Sequence, residues 1–136
     1  MATLKNTNDI AKVRRAAQTA AGILDYLTPY IKAGITTSEI DRLTRERIEE
    51  LGIRSATVGY GHPPFPGAIC TSVNHVVCHG IPGDKKLKDG DIINLDITIE
   101  QDGWFGDTSR MFMIGKPSIL ARRLVETTYE CMWKGI

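Results

Sequence analysis

The sequence has almost no excess charge and no long apolar run. Its 17 basic side chains nearly balance 16 acidic ones, which gives a formal net charge of +1 over 136 residues. Because the charges are so evenly balanced, the sequence provides no basic surface of the kind that binds nucleic acid or anionic lipid. The longest apolar stretches fall well short of the roughly 18 residues that a membrane-spanning helix needs. We therefore expect no nucleic-acid specificity and no membrane partner.

Cysteines are few, and the amino terminus lacks a secretory signal. The cysteines at 70, 78 and 131 are odd in number and are not spaced as a disulfide framework. The opening stretch MATLKNTNDIAKVRR contains no apolar core of the kind that directs secretion. Both observations favour a reducing, cytoplasmic setting. The length and the 42% content of hydrophobic residues are ordinary for one globular domain.

Two helices are predicted in the first third of the chain. Candidate N-caps lie at residues 6–9, and apolar residues then recur at helical spacing, so the first helix should end near Pro29 or one turn later. Thr36 and Glu39 have the spacing of a capping box. Gly52 is suited to the position that follows the second helix.

Strand-like runs fill the centre of the chain. We predict β-structure within residues 53–60, 68–74 and 76–81, interrupted by the proline- and glycine-rich stretch GHPPFPG. Two longer strands follow within residues 93–112, and a third helix should begin at 116–118. Helices, then strands, then a helix indicate an α+β layer architecture.

Each of the two longer strands carries one carboxylate near its middle, Asp96 or Asp107. If Asp102 and Gly103 form a two-residue hairpin loop, Asp107 lies opposite Thr98 and projects on the same side as Asp96. The two acids then become diagonal neighbours with Cα atoms about 7–8 Å apart. A three-residue loop would instead place them on opposite faces.

Two carboxylates this close repel each other unless one is protonated or a cation lies between them. Their spacing suits two divalent ions about 3.5–4 Å apart, as in two-metal hydrolases. The alternative is that both are solvated side chains on the exposed face of an antiparallel sheet. Gly106 favours the first interpretation, because a glycine inside a strand marks a close approach of backbone or ligand.

His79 and its neighbour Cys78 form a second candidate site. His79 is predicted to end a strand and to project into a cleft, although a lone histidine is more often a structural residue. Cys78 suggests a Cys/His nucleophile pair, but adjacent strand residues point to opposite faces. A cysteine hydrolase that uses Cys70 or Cys78 is an alternative, but the predicted strand leaves its nucleophile without a neighbouring histidine as base.

Two blocks together resemble bacterial-type methionine aminopeptidase: CTSVNHVVCHGIP at 70–82 and NLDITIEQDGWFGDTSRMF at 94–112. The resemblance extends from the first helix to residues 116–118. It implies the α+β "pita-bread" fold, in which two pseudo-symmetric halves surround a two-metal site. Residues 1–136 would form a single partial domain, the amino-terminal half, with helices packed on one face of an antiparallel sheet.

The resemblance implies roles for the acids and the histidine. Asp96 and Asp107 would be ligands of two divalent ions, for which Co, Mn, Fe and Zn are all candidates. His79 would be the catalytic residue that hydrogen-bonds the scissile peptide group and stabilises the tetrahedral intermediate. It would also contact the substrate.

The resemblance also implies a substrate pocket and a monovalent cation site. Tyr60, Phe65 and Cys70 match positions that line the pocket for the methionine side chain, since a thioether packs well against aromatic rings and sulfur. The loop between Tyr60 and Cys70 is longer than the family's usual form. Asn74 and Val76 match a backbone site for one monovalent cation.

The implied reaction is the removal of the N-terminal methionine from nascent polypeptides at the ribosome. The family's other metal ligands, a histidine and two glutamates, come from its second half, and the sequence ends at Ile136 without such a motif. Because these ions need about five or six ligands, we expect poor activity from this chain without a complementary half. The alternative is a non-catalytic binding module that associates with a partner or with itself through an exposed apolar face.

Overall fold

The computed structural model describes residues 6–136, which form an α+β structure as predicted. Within that range lie three α-helices, four strands and one short 3-10 helix at Thr28–Tyr30. The helices are α1 (Thr7–Leu27), α2 (Thr37–Glu50) and α3 (Ile119–Gly135). The strands are β1 (Arg54–Ser55), β2 (Cys70–Val73), β3 (Ile92–Gln101) and β4 (Trp104–Met113).

All three helices begin at a side-chain cap. Asn6, Thr36 and Ser118 each accept a hydrogen bond from the backbone N–H three residues later, at 3.0–3.1 Å. Such a bond satisfies one of the amides that the first turn leaves without a partner. The end of α2 is also as predicted, because Gly52 follows it in the left-handed region at φ 65°.

The sheet is built around β3. Strand β4 pairs antiparallel with all of one edge of β3. On the other edge, β2 pairs with its first half and β1 with its second half, and both are antiparallel. Cys70 lies opposite Asp96, and Ser55 lies opposite Ile99.

The hairpin between β3 and β4 has the predicted two-residue loop. Asp102 and Gly103 both have positive φ, at 54° and 79°, which is the combination that a type I′ turn requires. Asp107 therefore lies opposite Thr98, and the predicted register is confirmed. Asp107 and Asp96 share one face of the sheet, because side chains alternate along each strand.

The opposite face of β3 forms the core, where α1 covers it. The α1 backbone approaches β4 at Gly106, where an added Cβ would lie 2.2 Å from the carbonyl oxygen of Ala16. The close approach that Gly106 signals is therefore that of a helix. The core residues that β3 and α1 contribute are Ile93, Leu95, Ile97, Ile99, Ala16, Ala20, Ile23, Leu24 and Leu27.

The strand predicted within residues 53–60 is mostly wrong. Only Arg54–Ser55 is β-structure. The hydroxyl oxygen of Ser55 accepts hydrogen bonds from the backbone N–H groups of Thr57 and Val58, at 3.2 and 3.3 Å. This local turn replaces the sheet pairing that the alternating pattern had indicated.

The strand predicted at 76–81 is also wrong, because this segment is a loop. His79 has φ 54°, a left-handed conformation that does not continue a strand. The loop returns beside β2, where the N–H of Thr71 donates to the carbonyl of Gly80 at 2.7 Å. The argument that Cys78 and His79 point to opposite faces of a strand therefore loses its premise.

The longest described helix, α1, has 21 residues and carries Lys12, Arg14 and Arg15 in its first half. No helix within residues 6–136 is both long and apolar enough to cross a membrane. The cytoplasmic setting stays a prediction.

Candidate active site

An open cleft of about 1180 Å³ lies over the polar face of the β3–β4 hairpin. The hairpin forms its floor, and the segment from Arg54 to Phe65 forms a wall. Six of the residues named from the sequence line it together: Tyr60, Phe65, Cys70, His79, Asp96 and Asp107. Asn74 and Val76 are not among its lining residues.

Asp96 and Asp107 are two of the three acidic residues that line this cleft, and Glu100 is the third. Asp96 is half-buried and Asp107 is exposed. Burial raises the pKa of Asp96, and the negative charge of Asp107 raises it further, whereas His79 acts in the opposite direction. Asp107 and His79 are therefore both close enough to Asp96 to influence its charge.

Thr98 orients one of the two acids. Its hydroxyl donates a hydrogen bond to Oδ1 of Asp107 at 3.2 Å. The side chain of Asp107 is therefore held against the neighbouring strand. Thr98 itself lines the cleft.

His79 reaches the cleft because Gly80 brings its loop against β2. A Cβ at residue 80 would lie 2.3 Å from the carbonyl oxygen of Thr71, so only glycine fits there. The N–H of Gly80 also donates to the hydroxyl of Ser72 at 3.1 Å. These contacts fix the position from which His79 faces the cleft.

Cys70 belongs to the wall of the cleft and is unsuited to be a nucleophile. It is buried, and burial together with the charges of Asp96, Cys78 and Asp107 raises its pKa to about 11. A thiol with that pKa stays protonated near neutral pH, whereas the thiolate is the reactive form. Cys78 is exposed and does not line the cleft. Both findings weigh against a cysteine hydrolase.

The segment that carries Tyr60 and Phe65 folds back on itself. The N–H of Phe65 donates to the carbonyl of Tyr60, and the N–H of Gly59 donates to the carbonyl of Phe65, both at 2.8 Å. Tyr60 is 76% exposed, so its ring is free to contact a ligand. The two rings stand at the same wall as Cys70.

Asn74 has a structural role that the sequence did not indicate. Its side-chain amide donates to Oδ1 of Asp91 at 2.8 Å and accepts from the N–H of Ile92 at 3.0 Å. It therefore joins the turn after β2 to the beginning of β3. The backbone cation site proposed for Asn74 and Val76 stays a prediction.

Sequence reasoning missed three further lining residues at one end of the cleft. Phe105 and Glu100 are a cross-strand pair, and Nε of Arg54 donates to Oε2 of Glu100 at 3.1 Å. The alternation of the hairpin contains the signal, because positions 105 and 107 share a face.

The two carboxylates suit a divalent cation, but they form only part of a site. Carboxylate oxygens are suitable ligands for divalent ions such as Mn²⁺. Within residues 6–136, no group of three or more His, Cys, Asp or Glu side chains is arranged to hold a metal ion. The carboxylates of Asp96 and Asp107 are therefore the right kind of ligand for a divalent ion, but two carboxylates are too few to complete its site.

The fold and the cleft agree with the family that sequence comparison gives. The chain belongs to metallopeptidase family M24, whose family model matches residues 11–136. Over 137 aligned residues it is 48% identical to methionine aminopeptidase B of Synechocystis, covering 98% of this chain and 50% of that protein. The chain spans about half the length of the curated relatives that it matches.

Solved structures give the same result at the level of the fold. The crystal structure of methionine aminopeptidase from Rickettsia prowazekii superposes with a TM-score of 0.94 at 45% identity, over 100% of this chain and 54% of that one. The enzyme from Thermotoga maritima superposes with a TM-score of 0.91 at 30% identity, over 100% and 54%. The resemblance to methionine aminopeptidase and the pita-bread fold are thereby confirmed.

Proposed function

We propose that this chain forms the part of a metalloaminopeptidase that binds an N-terminal methionine and holds two divalent ions through Asp96 and Asp107. The observation that carries the proposal is that both carboxylates and His79 line one cleft. The raised pKa of Asp96, caused first by burial and then by the charge of Asp107, supports it, because a bound cation would offset both effects. The proposed substrate, an N-terminal methionine, is supported by the relatives, which are named methionine aminopeptidases.

The side chains of the cleft divide the work between them. Asp96 and Asp107 would hold the divalent ions, which would supply Lewis-acid polarisation of the peptide carbonyl and activation of water. Thr98 keeps Asp107 oriented through its hydrogen bond. His79 donates a hydrogen bond to the scissile peptide group and so stabilises the charge that develops on it.

The wall of the cleft selects the first side chain of the substrate. Tyr60, Phe65 and Cys70 offer two rings and one sulfur. A methionine thioether gains favourable contacts with such groups. The protonated thiol of Cys70 contributes to this wall without chemistry of its own.

The remaining ligands come from outside residues 6–136 in this proposal. Two carboxylates and water hold a divalent ion weakly, since such ions bind about six ligands. The relatives are about twice as long as this chain. A complementary half of the fold would therefore complete the site.

The test joins this chain to the second half of the Rickettsia prowazekii enzyme and measures release of methionine from a Met-Ala-Ser peptide with Mn²⁺. We expect turnover that a chelator abolishes. Asp96→Asn should lower kcat/KM at least about 100-fold, since loss even of an outer hydrogen-bond partner of a metal ligand costs 10–100-fold. The matched control is Asp25→Asn, which removes an exposed carboxylate of α1 that pairs with Arg110. Equal activity in the two variants would refute the proposal.

A second candidate function is a non-catalytic binding module. It is favoured by α3, which has no buried residue and exposes Leu120, Leu124 and Trp133 by 58–79%. An apolar surface of this kind is typical of an interface. This candidate predicts a chain that self-associates in light scattering and shows no turnover in the joined protein.

A further inference from the structure

The wall of the cleft is formed by a segment that has no regular structure of its own. We call residues 57–69 the pocket loop. It contains the four prolines and glycines of PPFPG and includes Tyr60 and Phe65. Its internal hydrogen bonds join Tyr60 to Phe65, and the hydroxyl of Thr57 to the carbonyl of Gly67 at 3.1 Å.

Two residues of α2 hold the end of this loop. The N–H of Ala68 donates to Oδ1 of Asp41 at 2.6 Å. Nη2 of Arg45 donates to the carbonyl of Pro66 at 2.5 Å. Nε of Arg45 donates to the other oxygen of Asp41, Oδ2, at 2.7 Å. Both oxygens of one carboxylate are thus engaged, one with the loop and one with a side chain that itself contacts the loop.

The environment of Asp41 makes this contact strong. Its side chain is only 13% exposed, whereas that of Arg45 is 45% exposed. Hydrogen bonds to a charged group are stronger than neutral ones, and they strengthen where water is excluded. The loop residue that Asp41 binds, Ala68, is buried and stands two positions before Cys70 in the wall of the cleft.

The same helix carries a second ion network that serves as a comparison. Arg42 binds Glu39 and Glu46 on its own helix, and all three side chains are more than 40% exposed. Both carboxylates that pair with Arg42 therefore lie within α2. The partners of Asp41 and Arg45 include the pocket loop.

We propose that Asp41 and Arg45 are positioning residues that hold the pocket loop in the shape that receives the first side chain of the substrate. The pair fixes Pro66 and Ala68, and therefore sets where Phe65 stands relative to Cys70. The identity of the ligand rests on the proposed function, whereas the hold on the loop does not. Neither Asp41 nor Arg45 lines the cleft itself.

The experiment compares Arg45→Met with its matched control Arg42→Met in the 136-residue chain, with Asp41→Ala as the stronger variant. The first measurement is amide hydrogen exchange by mass spectrometry. The second is binding of L-methioninamide, followed by NMR. We expect Arg45→Met to speed exchange in residues 57–69 by about tenfold and to weaken methioninamide binding by a similar factor, on the scale of one charge-assisted hydrogen bond. Exchange in α1 and all properties of Arg42→Met should match the unmodified chain.

Each outcome decides a separate statement. If the amides of the pocket loop exchange at equal rates in Arg45→Met and Arg42→Met, the statement that Arg45 holds the loop is wrong. Faster exchange with unchanged affinity for methioninamide would overturn the positioning role and leave a purely structural contact. If the unmodified chain binds methioninamide neither alone nor joined to the second half of the Rickettsia prowazekii enzyme, the methionine pocket of the proposed function fails. The positioning role fails with it, while the exchange data still decide whether Asp41 and Arg45 hold the loop.

Discussion

The hydroxyl of Thr98 donates a hydrogen bond of 3.2 Å to Oδ1 of Asp107, which lies directly opposite it on the neighbouring strand. The register of one hairpin thus provides both an acid and the group that orients it. Because Oδ1 is engaged, the other oxygen is available to a cation. If Asp107 binds an ion as proposed, we therefore expect the hydroxyl at position 98 to affect that binding through its hydrogen bond.

Thr98→Val should weaken binding of Mn²⁺ by about tenfold, since lost outer hydrogen bonds to metal ligands cost 10–100-fold. Valine keeps the shape of threonine and removes only the hydroxyl. The measurement is a Mn²⁺ titration followed by electron paramagnetic resonance, in the protein joined to a second half. Thr98→Ser, which retains a hydroxyl, should restore most of the affinity. Equal affinity of the valine and serine variants would contradict the orienting role.

Asp96→Asn should stabilise the metal-free chain, and more so at pH 7 than at pH 3. The pKa of Asp96 is raised in the folded chain, by burial first and then by Asp107. The unfolded chain therefore loses this proton at a lower pH than the folded chain does. The free energy of unfolding falls as the pH rises from the ordinary aspartate pKa through the raised one. Asparagine removes that fall.

Urea unfolding at the two pH values measures this effect. Asp25→Asn is the control, because that carboxylate is exposed on α1 and pairs with Arg110. A gain in stability for Asp96→Asn that is the same at pH 3 and pH 7 would contradict the account, since it would show that titration of Asp96 is not its cause.

Gly106→Ala should destabilise the chain by about 3 kcal/mol or more, the upper end of the usual cost of overpacking. The new methyl group would lie 2.2 Å from the carbonyl oxygen of Ala16, and neither backbone can move without separating α1 from β4. Gly22→Ala is the matched control, because nothing lies within 4 Å of its Cβ position. That substitution, in a helix interior, should gain about 0.5–1 kcal/mol. Urea unfolding of both variants checks the difference.

Iodoacetamide at pH 7.5 should modify Cys78 and Cys131 and spare Cys70. The first two are exposed, whereas Cys70 is buried with its pKa raised to about 11. Modification of Cys70 should increase only as the pH approaches that value, because the thiolate is the reactive form. Peptide mass spectrometry measures each site. Rapid modification of Cys70 at neutral pH would reopen the cysteine hydrolase interpretation.

The parts of the structure that local chemistry determines were predictable. The pair Asp102 and Gly103 adopts positive φ as its sequence indicates, and the register that brings Asp96 beside Asp107 follows from that turn. The caps of the helices are equally local. The cleft could be inferred once the two acids shared a face.

The parts that depend on distant partners were not predictable. His79 has a left-handed backbone that its apolar neighbours do not suggest, and the loop is fixed by contacts of Gly80 with β2. The hydrogen bond from Ala68 to Asp41 joins residues 27 positions apart and leaves no periodic signal. A pattern within a window of residues cannot report a contact with a residue outside it.

Strand β4 and the pocket loop lie on opposite edges of strand β3. The carboxylates belong to the hairpin that it forms with β4, whereas the pocket loop enters from the side of β1 and β2. Insertions and replacements in that loop can therefore alter the wall of the cleft while the register that places the two carboxylates side by side stays unchanged. The same hairpin is thus compatible with pocket loops of different shape.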